Sequence, residues 1–130
     1  MITINAQIGT DSYTTQIQST NHSIIADEPI EDGGKDLGFS PSDLITSSLA
    51  ACTVITVRMY ANRKNWPIES IHVTVNFERD NEKNISKFER QLTINGTLTE
   101  EQRVRLLVIA KQCYIHKVLT NPIEITTHLL

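Results

Sequence analysis

Two cysteines are the residues of this chain best suited to covalent chemistry. Cys52 lies in the apolar run Leu49-Ala50-Ala51-Cys52-Thr53-Val54-Ile55, and Cys113 precedes Tyr114-Ile115-His116. A thiol is a nucleophile only as its thiolate, which needs a nearby cation or the N–H groups at a helix start. Cys52 falls almost three turns inside a helical pattern, so any activating charge must come from another segment. Cys113 has His116 at i+3, where an imidazole on the same helix face could serve as base. Each cysteine also has an inert reading, because a free thiol packs as a small hydrophobe and is often fully buried. On the residues alone both readings stay open.

Other chemistries find less support. The two cysteines are too far apart, with too few companions, for a zinc site of ordinary spacing. His22, His72 and His128 form no ligand set and read as strand or loop residues. Ser47 and Ser48 lack the G-x-S-x-G turn of a serine hydrolase, and Gly33-Gly34 alone makes no phosphate loop. Neither a metal nor a cofactor is therefore expected.

Composition narrows the setting. A chain of 130 residues with 39% hydrophobic content suits one domain with a real core. The net charge of -3 gives no basic field for nucleic acid or anionic lipid. No signal peptide is visible at Met1-Ile2-Thr3-Ile4-Asn5, and the uncharged stretch from Leu44 to Val57 is short for a bilayer span. The expectation is a cytoplasmic protein that works away from membranes, where cysteines are free thiols or form a transient disulfide.

The elements that must position these thiols are clearly punctuated. Ile2, Ile4, Ala6 and Ile8 alternate as a strand, Tyr13 to Ser19 reads as its partner, and Ser23 to Ala26 as a short third strand. The acidic stretch from Asp27 to Gly34, broken by Pro29 and two glycines, reads as the loop expected to move most. Ser40, Pro41 and Asp43 then spell a helix start with a capping box. Ile45, Leu49, Cys52, Ile55 and Met59 follow helical spacing, but apolar residues fill the other sides too, so this helix must be buried in the chain or against a second subunit. Pro67 stops it. Ile71, Val73, Val75 and Phe77 alternate, and after a turn at Asp80 to Asn84 so do Phe88, Leu92, Ile94 and Leu98, with Arg90 in the same inward phase. Thr99 with Gln102 opens a second helix whose pattern runs unbroken past Cys113 to Leu119. After Pro122, Ile123, Ile125, Thr127 and Leu129 read as a last strand. This order is an α+β fold in a single domain. Strands and the acidic loop occupy 1–39, the central helix 40–65, and the hairpin, second helical region and last strand 68–130.

The run from Ser40-Pro41-Ser42-Asp43-Leu44-Ile45 to Leu49-Ala50-Ala51-Cys52-Thr53, with Arg58-Met59-Tyr60-Ala61 and Trp66-Pro67, resembles the central helix of OsmC-like proteins. Thr99-Glu100-Glu101-Gln102-Arg103 and the stretch from Cys113 to Leu119 resemble that family's second cysteine helix. The resemblance spans most of the chain from Ser40 to Leu130. It implies antiparallel sheets wrapped around long central helices in an intertwined homodimer, with active sites at the subunit interface. It also implies reduction of organic hydroperoxides in oxidative-stress defence. Cys52 would be the peroxidatic thiolate, Cys113 would close a Cys52–Cys113 disulfide, and a dithiol reductant would reset the pair. Family peroxidases hold the thiolate with an arginine ahead of the central helix and use a glutamate ten residues before the first cysteine; here no arginine precedes Arg58 and that position is Ser42. Arg90 or Lys35 becomes the candidate cation, with Asp43 and His116 as further supporting groups. Two other functions remain in play. One is a binding protein with a small apolar or electrophilic ligand in the dimer cleft; the other is a thiol transferase or hydrolase that pairs Cys113 with His116.

Overall fold

The computed structural model describes residues 1–130 and divides into two compact units, Met1–Ile45 and Thr46–Leu130. Three helices and two antiparallel sheets make it an α+β protein.

In the first unit β1 (Asn5–Ile8), β2 (Thr15–Gln18) and β3 (Ser23–Ala26) form a three-stranded antiparallel sheet in that order. Ile17 pairs with Ala6 on one side and Ile24 on the other. The acidic loop that follows is organised around one carboxylate. Asp27, only 2% exposed, accepts the N–H groups of Tyr13, Glu28 and Leu37 at 3.2, 2.8 and 3.3 Å and the Thr14 hydroxyl at 3.2 Å. A single 3-10 turn, Ile30–Asp32, fills the loop. Gly34 permits its close return, since a Cβ there would stand 1.9 Å from the Glu28 carbonyl oxygen.

The long helix α1 (Pro41–Lys64) begins as its sequence predicts. Asp43 N–H donates to Ser40 Oγ at 3.1 Å and Ser40 N–H to the Asp43 carboxylate at 3.0 Å, a reciprocal capping box. Its end is a Schellman turn. Asn65 takes the left-handed conformation, and the N–H groups of Asn65 and Trp66 donate to the carbonyls of Asn62 and Ala61.

The second unit is built on one stripe of α1. Leu49, Thr53, Val57 and Ala61 recur one turn apart and are buried. Val57 and Ala61 join Ile68, Leu106 and Ala110 in the core, against which Tyr60, Trp66, Ile71, Leu92, Ile94 and Leu98 pack. By length and composition α1 could also cross a membrane, but this buried stripe is how a core helix behaves. The expectation that α1 is buried all round does not hold within one chain: Ile55 and Met59 are 51% and 57% exposed.

Strands β4 (Ile68–Asp80) and β5 (Ile85–Gly96) form the expected hairpin, with Phe77 opposite Phe88, Val73 opposite Leu92 and Ile71 opposite Ile94. Arg90 sits opposite Val75, in the inward phase read from the sequence. Helix α2 (Glu100–Ala110) opens on the Thr99–Gln102 capping box, and Arg103 ties it to β5 by donating to the Ile94 and Gly96 carbonyls.

Two expectations are corrected here. The helical region does not run unbroken to Leu119: α2 stops at Ala110 and a separate helix α3 (Tyr114–Thr120) starts after Cys113. No glycine or proline makes this break. Cys113 takes an extended conformation (φ -62°, ψ 147°), and its sulfur accepts the His116 N–H at 3.3 Å, so the thiol is the N-cap of α3. The last strand is also absent. Residues 121–130 form no ladder, and Ile125 is 84% exposed, because no other strand of the chain pairs with them. Alternation makes a strand only where a neighbour supplies hydrogen bonds.

Leu106 is fully buried where α2 meets α1. Leu106→Ala is expected to lower unfolding free energy by about 2–5 kcal/mol, measured by urea denaturation. A loss below about 1 kcal/mol would contradict a tightly packed site at this point.

Candidate active site

The site gathers where α1, β5 and the α2–α3 corner meet, all within the second unit. Cys52 and Cys113 are both free thiols, Cys52 half-buried and Cys113 fully buried. Cys113 Sγ lies 3.9 Å from the hydroxyl of Thr53, the residue next to Cys52 in α1.

Cys52's partners come from across the fold. The Ile115 N–H, in the first turn of α3, points at its sulfur over 3.4 Å, and the Thr56 hydroxyl lies 3.9 Å away. Burial alone pushes the Cys52 thiol pKa up. The hydrogen bonds from Ile115 N–H, Cys113, Thr56 and Tyr114 N–H outweigh it, and the net shift is downward. Cys52 is thus favoured as thiolate by dipoles, without a cation among the causes.

The cation sits on the other sulfur. Arg90 Nη1 lies 3.8 Å from Cys113 Sγ, and donates to Thr53 Oγ1 at 3.0 Å and the Ala110 carbonyl at 3.1 Å. Its Nη2 donates to His116 Nδ1 at 2.5 Å. The fully buried Thr53 gives its own proton to the Leu49 carbonyl at 2.7 Å, which leaves its oxygen free to accept from Arg90. No carboxylate occurs among the partners of Arg90. Since Nδ1 accepts a hydrogen bond from Arg90, the neutral His116 ring carries its own proton on Nε2. Desolvation first, and the Arg90 charge second, hold the His116 pKa below its ordinary value.

The structure therefore brings Cys52, Cys113, Arg90 and His116 together. Arg90 faces Cys113 where it was sought as the cation for Cys52. His116 meets Cys113 through its backbone N–H, while its imidazole turns to Arg90, which removes support from a Cys113–His116 nucleophile–base pair. Asp43 and Lys35 belong to the first unit and have partners there: Asp43 caps α1 with Ser40, and Lys35 pairs with Asp11 at 3.8 Å. Thr53, Ala110 and the Ile115 N–H escape sequence reasoning. Thr53 shows only as a polar residue in a buried stripe, and the two backbone groups have no side-chain signal. No group of three His, Cys, Asp or Glu side chains is placed to hold a metal.

With a thiol pair set between a long helix and a hairpin, the arrangement defines a class of α+β thiol protein. The sequence profile of OsmC-like proteins matches residues 33–128, and the chain belongs to this family. Comparison with curated protein sequences finds no match. Among solved structures, the fold is similar to that of a protein from Psychrobacter arcticus named for osmotic stress induction and detoxification response (24% identity, 91% of this chain and 88% of that one, TM-score 0.78). It is also similar to an organic hydroperoxide resistance protein OsmC from Legionella pneumophila (22% identity, 92% and 89%, TM-score 0.66). A third is the organic hydroperoxide resistance protein OhrB of Bacillus subtilis (21% identity, 92% and 90%, TM-score 0.61).

Two titrations check the electrostatics. The pH dependence of Cys52 alkylation by iodoacetamide should show a midpoint below the ordinary thiol value of 9.0, and Cys113→Ala should raise it. An unmoved midpoint in the variant would remove Cys113 as a donor to Cys52. The NMR-monitored His116 ring should titrate below 6.5, and Arg90→Met should bring it back upward. The sign for stability follows. Neutral His116 costs nothing above 6.5, and as pH falls from there toward its lower folded pKa the unfolded chain takes up the proton first and stability declines.

Proposed function

We propose that the chain reduces organic hydroperoxides through Cys52 and Cys113. The observation that carries this reading is the Ile115 N–H aimed at the sulfur of a half-buried Cys52, with the buried Cys113 thiol held nearby against Thr53. The exposed thiol meets substrate first. Its thiolate attacks the O–O bond, the alkoxide leaves as an alcohol on taking a proton, and Cys52 becomes a sulfenic acid. Cys113 then attacks that sulfur, expelling water and closing a disulfide. An external dithiol reopens it by exchange and is itself oxidised. The names of the Legionella and Bacillus proteins, both organic hydroperoxide resistance proteins, support the substrate class.

The working form in this reading is a cytoplasmic homodimer built as one domain per chain. Its support is the apolar surface a single chain leaves open: Ile55 and Met59 on α1, and the unpaired alternation of Ile123, Ile125 and Leu129. Exposed apolar side chains with the period of packed elements support a contact with a second copy. Sedimentation should give twice the chain mass.

Stopped-flow oxidation of the reduced protein with cumene hydroperoxide, against hydrogen peroxide, tests the chemistry. Faster reaction with the organic peroxide, a mapped Cys52–Cys113 disulfide and complete loss in Cys52→Ser are expected. Oxidation no faster than that of an ordinary free thiol would end the peroxidase reading. The alternative is then a protein that binds a small apolar or electrophilic ligand without turnover, a reading favoured by the absence of a cation on Cys52.

A further inference from the structure

Arg90 lies in the wrong place to activate the attacking thiol. Its guanidinium contacts the sulfur of Cys113 and reaches three more groups, one each on α1, α2 and α3. None of these acceptors is charged, so the positive charge of a half-buried Arg90 faces neutral groups, two of which, Thr53 and Cys113, are fully buried. The sulfur it faces is itself completely buried and held as an N-cap by His116 N–H. For this thiol to attack anything it must lose its proton, and negative charge must build on sulfur out of reach of bulk water. A fixed guanidinium at 3.8 Å opposes that cost without reorganising.

We propose that Arg90 is the catalytic residue of the second half-reaction, stabilising the charge that develops on Cys113 as its sulfur attacks the sulfur of Cys52. This rests on the two-thiol reading above and assigns its steps to different groups: backbone N–H groups of α3 serve Cys52, and Arg90 serves Cys113. In the step itself Cys113 loses its proton and forms a bond to Cys52 sulfur. The group previously on that sulfur departs with the bonding electrons, as water from a sulfenic acid or as a thiolate from a mixed disulfide. The α2–α3 corner makes the assignment possible, because the Ala110 carbonyl at the end of α2 accepts from both Arg90, at 3.1 Å, and the Cys113 N–H, at 3.4 Å, which ties Cys113 to the guanidinium where the next helix begins.

Two probes test this on the full-length reduced protein and on Arg90→Met and Arg90→Lys, with folding checked by circular dichroism. In the first, cumene hydroperoxide is added and Cys52 sulfenic acid is trapped with dimedone at timed intervals, alongside the disulfide. In the second, 5,5′-dithiobis(2-nitrobenzoate) replaces the peroxide. Cys52 releases one nitrothiobenzoate in becoming a mixed disulfide, and attack by Cys113 releases a second. The quantity read is the ratio of the second rate to the first. That ratio should fall about tenfold to a hundredfold in Arg90→Met and less in Arg90→Lys, which keeps the charge without the fork. A purely structural role for Arg90 would slow both phases together and leave the ratio unmoved, and that result would overturn the proposal; if Arg90→Met does not fold, an unchanged ratio in Arg90→Gln, which removes the charge but keeps a polar side chain, would overturn it equally. If the wild-type protein gives no sulfenic acid yet shows both nitrothiobenzoate phases with the Arg90-dependent ratio, the hydroperoxide reading fails and the role of Arg90 stands.

Discussion

A guanidinium carried by a strand reaches the helices of the second unit and finds no carboxylate there. Arg90 is instead met by a threonine hydroxyl, a helix-ending carbonyl, an imidazole nitrogen and a thiol. Such a charge is tolerated only when its donors are well satisfied, and the surrounding groups are arranged to do that. Thr53 hands its proton to Leu49, His116 keeps its proton on the far nitrogen, and the Ala110 carbonyl at the end of α2 accepts from Arg90 as well as from the Cys113 N–H. Removing any one of them would leave the charge less well answered, so the four groups are held to one geometry. The position of Cys113 follows from theirs.

The break between α2 and α3 has its cause here. A continuous helix would carry Cys113 through a regular turn, with its N–H and carbonyl used internally and its sulfur on one face. At the corner, Cys113 turns to extended backbone and its sulfur takes the place an N-cap oxygen would normally fill. The same corner points the N–H of Ile115 at Cys52. One change of backbone direction therefore equips both thiols: one gains a cation and a cap, the other gains hydrogen bonds strong enough to overcome its burial.

Surface exposure separates the cysteines in a way that charge does not. Cys52 is half-buried and Cys113 fully buried, and the proposed order of events rests on that difference. The apolar side of α1 and the tail after α3 also carry information, because they bear the period of packed elements and are not packed within one chain. Their pattern fits contacts that a second copy would provide.

Local order was legible from the residues. Ser40 with Asp43, and Thr99 with Gln102, announce two helix starts because a cap is a contact between residues three apart. The alternation through Phe88, Leu92 and Ile94 put Arg90 on the inner face of β5 because strand side chains have a period of two. The two cysteines and their motifs indicated the family. What the sequence could not reveal lies across longer separations. Arg90 is 37 residues from Thr53, and Ile115 is 63 from Cys52. No local pattern encodes which sulfur a guanidinium will face, or that an unmarked run will bend at Cys113 with no glycine or proline to signal it. Nor does alternation at Ile123, Ile125 and Leu129 say whether a partner strand exists. The sequence by itself determined most of the elements, two of the helix caps and the inward face of the hairpin, since these depend on neighbours in the chain. Only the tertiary structure decided that Arg90 faces Cys113 while the Ile115 N–H points at Cys52, because that depends on which distant groups packing brings together.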